Sequence, residues 1–350
     1  MKIKMPAYCK DFRCIADKCQ DNCCIGWEID IDSSTAEYYK TVGGSFGCKL
    51  KSNITCGDSS SFILDGERCP FLNGHNLCEI IINLGEDKLC QICRDHPRYF
   101  EWFADTKEGG IGLCCEEAAR LIVTNKNKFE TYEDECTDEG CDDYEEDLYS
   151  MLSFARDEMI ATLENDSLTL KERLTLVVGY AFEIQFMMDN YQFDKTRIKS
   201  QYPAVMCESD VKGFLEAFKN LEPIDNNWLE YLQNLVDSSD ALNNITLESK
   251  DTDLYLKNIA IYFIWRYFLK GVYDEEILSK VLFMAMSVAM IKLMYKKAIL
   301  SGEVPGAEVC SMLAKNYSKE TEYSEENLEL LCNMVYENRA FSWENIISII

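Results

Sequence analysis

Of the 18 cysteines in this 350-residue chain, 15 lie before residue 142, and only Cys207, Cys310 and Cys332 follow. That crowding constrains the fold more than any other feature. A thiol-dense segment is held either by disulfides or by metal, and the choice follows the redox compartment. The first residues, Met1 to Pro6, lack the apolar run of a secretory signal. The stretch that comes closest to a membrane span, Val281 to Ile291, is ended by Lys292, short of the roughly eighteen apolar residues a span needs. A cytoplasmic protein with no membrane segment is therefore expected, and in that compartment clustered thiols read as metal ligands.

Residues 1–130 carry turn signals at Gly43-Gly44, Asp65-Gly66, Asn73-Gly74 and Gly109-Gly110, with little regular periodicity. Phe62-Ile63-Leu64 and Glu79-Ile80-Ile81-Ile82 read as brief strands, and Glu116 to Val123 as a helix. Ten acidic side chains between residues 133 and 147 suggest an exposed connector over 131–148. From 149 to 350 the pattern is helical. Thr169-Leu170-Lys171-Glu172 is a capping box, and apolar periodicity runs on to Met188. Further helices are expected near 209–221, 226–238, 252–271, 274–300, 306–317, 324–338 and 342–349. The aromatic run of Tyr262, Phe263, Trp265, Tyr267 and Phe268 reads as core. The expected fold is mainly α: an irregular cysteine-rich, metal-binding N-terminal domain followed by an α-helical bundle with no parallel sheet. A net charge of −26 excludes ordinary nucleic-acid binding, which needs clustered cations.

The chemistry concentrates in short blocks. Cys14, Cys19, Cys23 and Cys24 fall within eleven residues, followed by Cys69-Pro70-Phe71-Leu72, Leu77-Cys78, Cys90-Gln91-Ile92-Cys93 and Cys114-Cys115-Glu116. Thiolates are soft ligands that select zinc, copper(I) or iron–sulfur clusters, and tight spacing lets several reach one centre. These blocks resemble the cysteine-cluster proteins that chelate zinc or iron, and within them the flagellin lysine-N-methylases. The resemblance also rests on Gly26-Trp27, Leu84-Gly85-Glu86, Pro97-Arg98 and Glu117-Ala118-Ala119-Arg120-Leu121, and covers about the first 125 residues. Its pattern falls on Cys14, Cys19, Cys23, Cys24, Cys69, Cys78, Cys93 and Cys115 as ligand candidates. Cys114 is extra to that pattern, and His96 stands where the family has tyrosine.

The resemblance implies methyl transfer from S-adenosylmethionine to lysines of flagellin, with a 4Fe-4S cluster or, alternatively, zinc. Tyr99, Glu116 and Glu117 lie near ligand positions and are candidates for a base or an orienting group. Arg98 and Arg120 would either hold a cofactor carboxylate or offset the charge of a thiolate cluster. No glycine-rich nucleotide loop supports the usual methyltransferase fold, because no strand precedes Val42-Gly43-Gly44-Ser45-Phe46-Gly47. The radical S-adenosylmethionine spacing also fails, with Gly26 where a third cysteine belongs. A zinc-stabilised protein-binding module and an iron–sulfur redox protein without methyl transfer are the competing readings.

Overall fold

Helices dominate the computed structural model, which describes residues 1–26, 28–55, 59–103, 105–137, 145–191, 208–225, 227–247 and 249–350. Trp27, Cys56, Cys141 and Cys207 lie outside the described residues. The chain divides into two units: Met1–Asp11, Phe100–Cys114 and Ala118–Ile350 form one, while Phe12–Tyr99 and Cys115–Glu117 form the other. The second is thus an insertion into the first, and the division does not fall near residue 130.

The reason lies in strand pairing. Among the described residues the strands are β1 (Lys2–Pro6), β2 (Asp30–Ile31), β3 (Ser60–Ser61), β4 (Arg98–Phe103), β5 (Thr106–Ile111) and β6 (Thr131–Glu135). β4, β5, β1 and β6 lie side by side in that order. β1 runs parallel to β5, with Lys2 opposite Thr106, and antiparallel to β6, with Lys2 opposite Glu135 and Pro6 opposite Thr131. This corrects two expectations. Residues 1–130, expected to be irregular, supply a parallel pair that folds in one unit with the helices, and residues 131–135 of the presumed connector are a strand. The charged, loosely alternating sequences of these strands hid them, because β1 finds its partners β5 and β6 more than a hundred residues away.

The helical part follows its periodicity closely. Thr169 caps the helix Leu170–Asp189, its hydroxyl accepting from the Glu172 backbone while Glu172 reaches back to the Thr169 N–H. The helix Leu278–Leu300 is at the centre, packed against Lys250–Tyr267, Leu170–Asp189, Ala307–Glu322, Glu325–Glu337 and Trp343–Ile349. It is long and apolar enough to cross a membrane, and it runs through Lys292 instead of stopping there. Yet 89% of its most apolar window is buried inside the protein, so its all-round hydrophobicity is that of a core helix. The aromatic run packs beside it, with the Phe263 and Phe283 rings edge to face at 5.2 Å.

A buried ion pair is one of the ties between the sheet and the helices. Arg156, from helix Glu146–Leu163, donates two bonds to Glu108 on β5, at 2.5 and 2.8 Å. Its guanidinium lies 4.1 Å from the Trp265 ring, whose Nε1 donates to the Gly109 carbonyl at 3.0 Å.

The inserted unit has a small core of Ile29, Tyr39, Leu50, Phe62, Phe71 and Ile80, into which Cys69 and Cys90 are also packed. Helices Ser33–Thr41 and Gly44–Ser52 form a tight corner. A side chain at Gly47 would place a Cβ 2.1 Å from the Val42 carbonyl oxygen, so glycine there serves close packing between helices and not phosphate binding. Glu79–Leu84, expected as a strand, is a helix ended by Gly85 at φ 101°. Its three consecutive isoleucines do not share a face: Ile80 is buried while Ile81 and Ile82 are exposed.

Candidate metal centre

The thiols of the inserted unit are brought together by backbone pairing. Ile25 bridges Arg68, and the Cys69 N–H donates to the Cys24 carbonyl at 2.9 Å, which places the Cys23-Cys24 turn beside Cys69. Leu72 bridges Cys78, which brings Cys78 to the same loop. Cys78 and Cys90 each precede a short helix, Glu79–Leu84 and Gln91–Asp95, and Cys93 follows Cys90 by one helical turn.

Six sulfurs result that act electrostatically on one another: Cys23, Cys24, Cys69, Cys78, Cys90 and Cys93. Two pairs are hydrogen-bonded, Cys23 with Cys24 and Cys90 with Cys93. Within each pair that bond pulls one thiol down in pKa and pushes the other up: Cys23 and Cys90 fall, Cys24 and Cys93 rise. Burial lifts Cys69 to about 11 and also raises Cys78, with neighbouring thiols adding to both. Burial raises the Tyr39 hydroxyl well above its usual range, and Cys90, Cys93 and Cys78 push the same way. Charge would accumulate here unfavourably without a cation to offset it. Among the described residues, no three His, Cys, Asp or Glu side chains already stand at the mutual positions of an ion's ligand shell. The thiols match a thiophilic metal in chemistry and number but do not stand as a formed site, and would have to close inward to hold one.

Cys19 stands at the edge of this group. Its thiol donates to the Asp21 carbonyl at 3.1 Å and is hydrogen-bonded to Glu116, whose carboxylate also accepts the Gln20 N–H at 2.7 Å. Burial lifts Cys19 to about 11; the Asp21 bond opposes this and the Glu116 charge adds to it. Glu116 is thus the expected acid–base candidate that the structure sets against a candidate ligand.

The other sequence candidates are placed as follows. Cys14 is exposed, and Cys115 is half-buried in the same unit. Arg98 lies 5.3 Å from the Phe12 ring, Tyr99 is half-buried next to it on β4, and Arg120 is exposed on helix Glu116–Val123. Burial alone lowers His96 to about 4, so its ring is neutral. Cys114 belongs to the other unit, where burial lifts it to about 11, partly opposed by Arg266. Cys90 is the member that the family pattern omits. Its Cys-x-x-Cys spacing with Cys93 was the signal that could have included it.

A thiol-clustered unit inserted into a mainly helical protein is the class these features define. The chain belongs to the FliB lysine N-methylase family, whose C-terminal domain model matches residues 156–349. That match falls on the helical part, where the sequence offered no motif to quote. The chain is 26% identical over 131 residues to the lysine-N-methylases of Salmonella choleraesuis (strain SC-B67) and Salmonella typhimurium (strain LT2), covering 35% of this chain and 33% of each relative. It has the same identity over 131 residues to the flagellar biosynthetic protein FliU of Salmonella muenchen, covering 78% of that protein. The chain thus spans about a third of the length of the two curated methylases. No solved structure matches it.

Proposed function

We propose that this chain is a metal-dependent protein-lysine N-methylase that uses S-adenosylmethionine and acts on flagellin in the cytoplasm. The single observation that carries the metal half is the convergence of six thiols in one small unit. Family membership carries the methylase half. An iron–sulfur cluster is the reading favoured here, with zinc the alternative; zinc takes four thiolates, and a 4Fe-4S cluster takes up to four, leaving one iron open when only three bind. The ligands would come from Cys23, Cys24, Cys69, Cys78, Cys90 and Cys93. When bound, an iron–sulfur cluster with an open iron would supply a Lewis-acidic position for the amino and carboxylate groups of S-adenosylmethionine.

The chain's own residues have two further tasks. A lysine ammonium has no lone pair, and its ordinary pKa is about 10.4. A base must accept its proton before the nitrogen attacks the methyl carbon and the sulfonium leaves as a neutral thioether. Glu116 is the carboxylate proposed for that proton, as it sits at the border of the thiol group. The low-dielectric setting of the half-buried thiols would favour the neutral amine in the same way.

The test is protein prepared without oxygen, analysed for iron, zinc and inorganic sulfide, then incubated with flagellin and S-adenosylmethionine. Mass spectrometry should find methylated lysines. Glu116→Gln should lower the methylation rate about 10²–10⁴-fold with bound metal unchanged. An intact cluster with no transfer would exclude the methylase reading, and colourless protein containing zinc without sulfide would exclude the iron–sulfur one.

A further inference from the structure

The six thiols that backbone pairing and one shared core draw together exceed the four that a zinc ion or a 4Fe-4S cluster takes, so the geometry must say which are fixed in place. Cys90 is the most deeply buried of the six, with 1% of its surface exposed, whereas Cys23 is exposed. The segment carrying it is braced at two points by the helix Ser33–Thr41. The Tyr39 hydroxyl, on that helix, donates to the Lys88 carbonyl at 2.7 Å. The Asp32 carboxylate caps the same helix, one oxygen accepting from Thr35 N and the other from Gln91 N, both at 2.9 Å. The Arg94 N–H then donates to the Cys90 carbonyl at 3.0 Å, which fixes the turn between Cys90 and Cys93. Ligands held on braced elements lose less freedom on closing around a metal than ligands on an exposed turn.

We infer that Cys90 is a metal ligand of this chain alongside Cys93, and that Asp32 and Tyr39 are positioning residues that aim this ligand arm. The inference rests on the metal-centre reading above, and the experiment separates the two. Full-length protein, stripped of metal and kept reduced, is titrated with cobalt(II) while the thiolate-to-cobalt absorption band is followed. Cys48→Ala, at an exposed thiol outside the group, sets the baseline. A wild-type protein that neither retains metal on purification nor develops the band overturns the metal-centre reading itself. With wild-type binding established, Cys90→Ala should bind cobalt at least about tenfold more weakly and with a diminished band. Unchanged affinity and band in that folded variant overturn the inference.

Tyr39→Phe removes one hydroxyl and keeps the ring, so it decides the matter if Cys90→Ala does not fold. It should weaken binding by about tenfold and shift the band, effects that loss of a remote structural bond would not produce. An unaltered spectrum and affinity in Tyr39→Phe overturn the positioning role and, where Cys90→Ala is unfolded, the inference as a whole.

Discussion

Replacing Glu108 by Gln tests how the sheet is anchored to the helices. The Arg156 side chain is 1% exposed and the Glu108 side chain 6%, and their two hydrogen bonds make a bidentate pair under the Trp265 ring. Glutamine keeps the shape and one acceptor but leaves the buried guanidinium without its bonded carboxylate. Breaking a buried pair in this way costs about 3–5 kcal/mol, a large part of the roughly 5–15 kcal/mol that holds a domain folded. At about 2–4 °C per kcal/mol for a domain of this size, the melting temperature should fall by about 6–20 °C. Urea denaturation followed by circular dichroism measures the loss. The paired change Glu108→Leu with Arg156→Met should recover much of it, since the penalty belongs to the stranded charge and not to the missing attraction. A cost below about 1 kcal/mol for Glu108→Gln, or a double variant no better than the single one, would refute this account.

Three other outcomes follow from the same reasoning. Thr169→Ala removes the capping box of helix Leu170–Asp189 and should cost about 1 kcal/mol by thermal melting, with metal content untouched. Burial works to raise the Asp32 carboxyl, but hydrogen bonds from Ser34, Gln91 and Thr35 outweigh it and hold the group well below the ordinary carboxylate range. Its stabilising contribution is therefore complete above about pH 4 and is lost as acid protonates it, so Asp32→Ala should flatten stability against pH below that point. Removing metal with a chelator should make residues 12–99 susceptible to limited proteolysis while the helical part resists, because bound metal supplies folding free energy to a unit with so small a core.

The helical part was legible because its information is local. Periodicity and the Thr169–Glu172 box set the helix from Leu170, and Glu116 to Val123 formed as expected. The mixed sheet was not, since Lys2 pairs with Thr106 and Glu135, and neither partner leaves a mark near Lys2 in sequence. Ile80, Ile81 and Ile82 suggested a strand through their β-branched side chains. The neighbours overrode that preference, with Phe71 taking the Glu79 N–H and Gly85 ending the turn. The density of thiols pointed to a centre, but membership of it depended on backbone bridges such as Ile25 to Arg68. That is why Cys90, which the family pattern omits, joins the thiol group, and Cys14, close to Cys19 in sequence, stands exposed.

The placement of β1 has a thermodynamic consequence. Because Met1–Asp11 and Phe100–Cys114 belong to one unit, everything from Phe12 to Tyr99 is a loop whose two ends are already tied down. The entropy of closing such a loop grows only logarithmically, by about 0.6 kcal/mol for each doubling of length. If that loop melts, its host therefore forfeits little, and the damage stays local. The same insulation would let a shortened or exchanged segment be grafted at residues 11 and 100 while the surrounding framework still assembles.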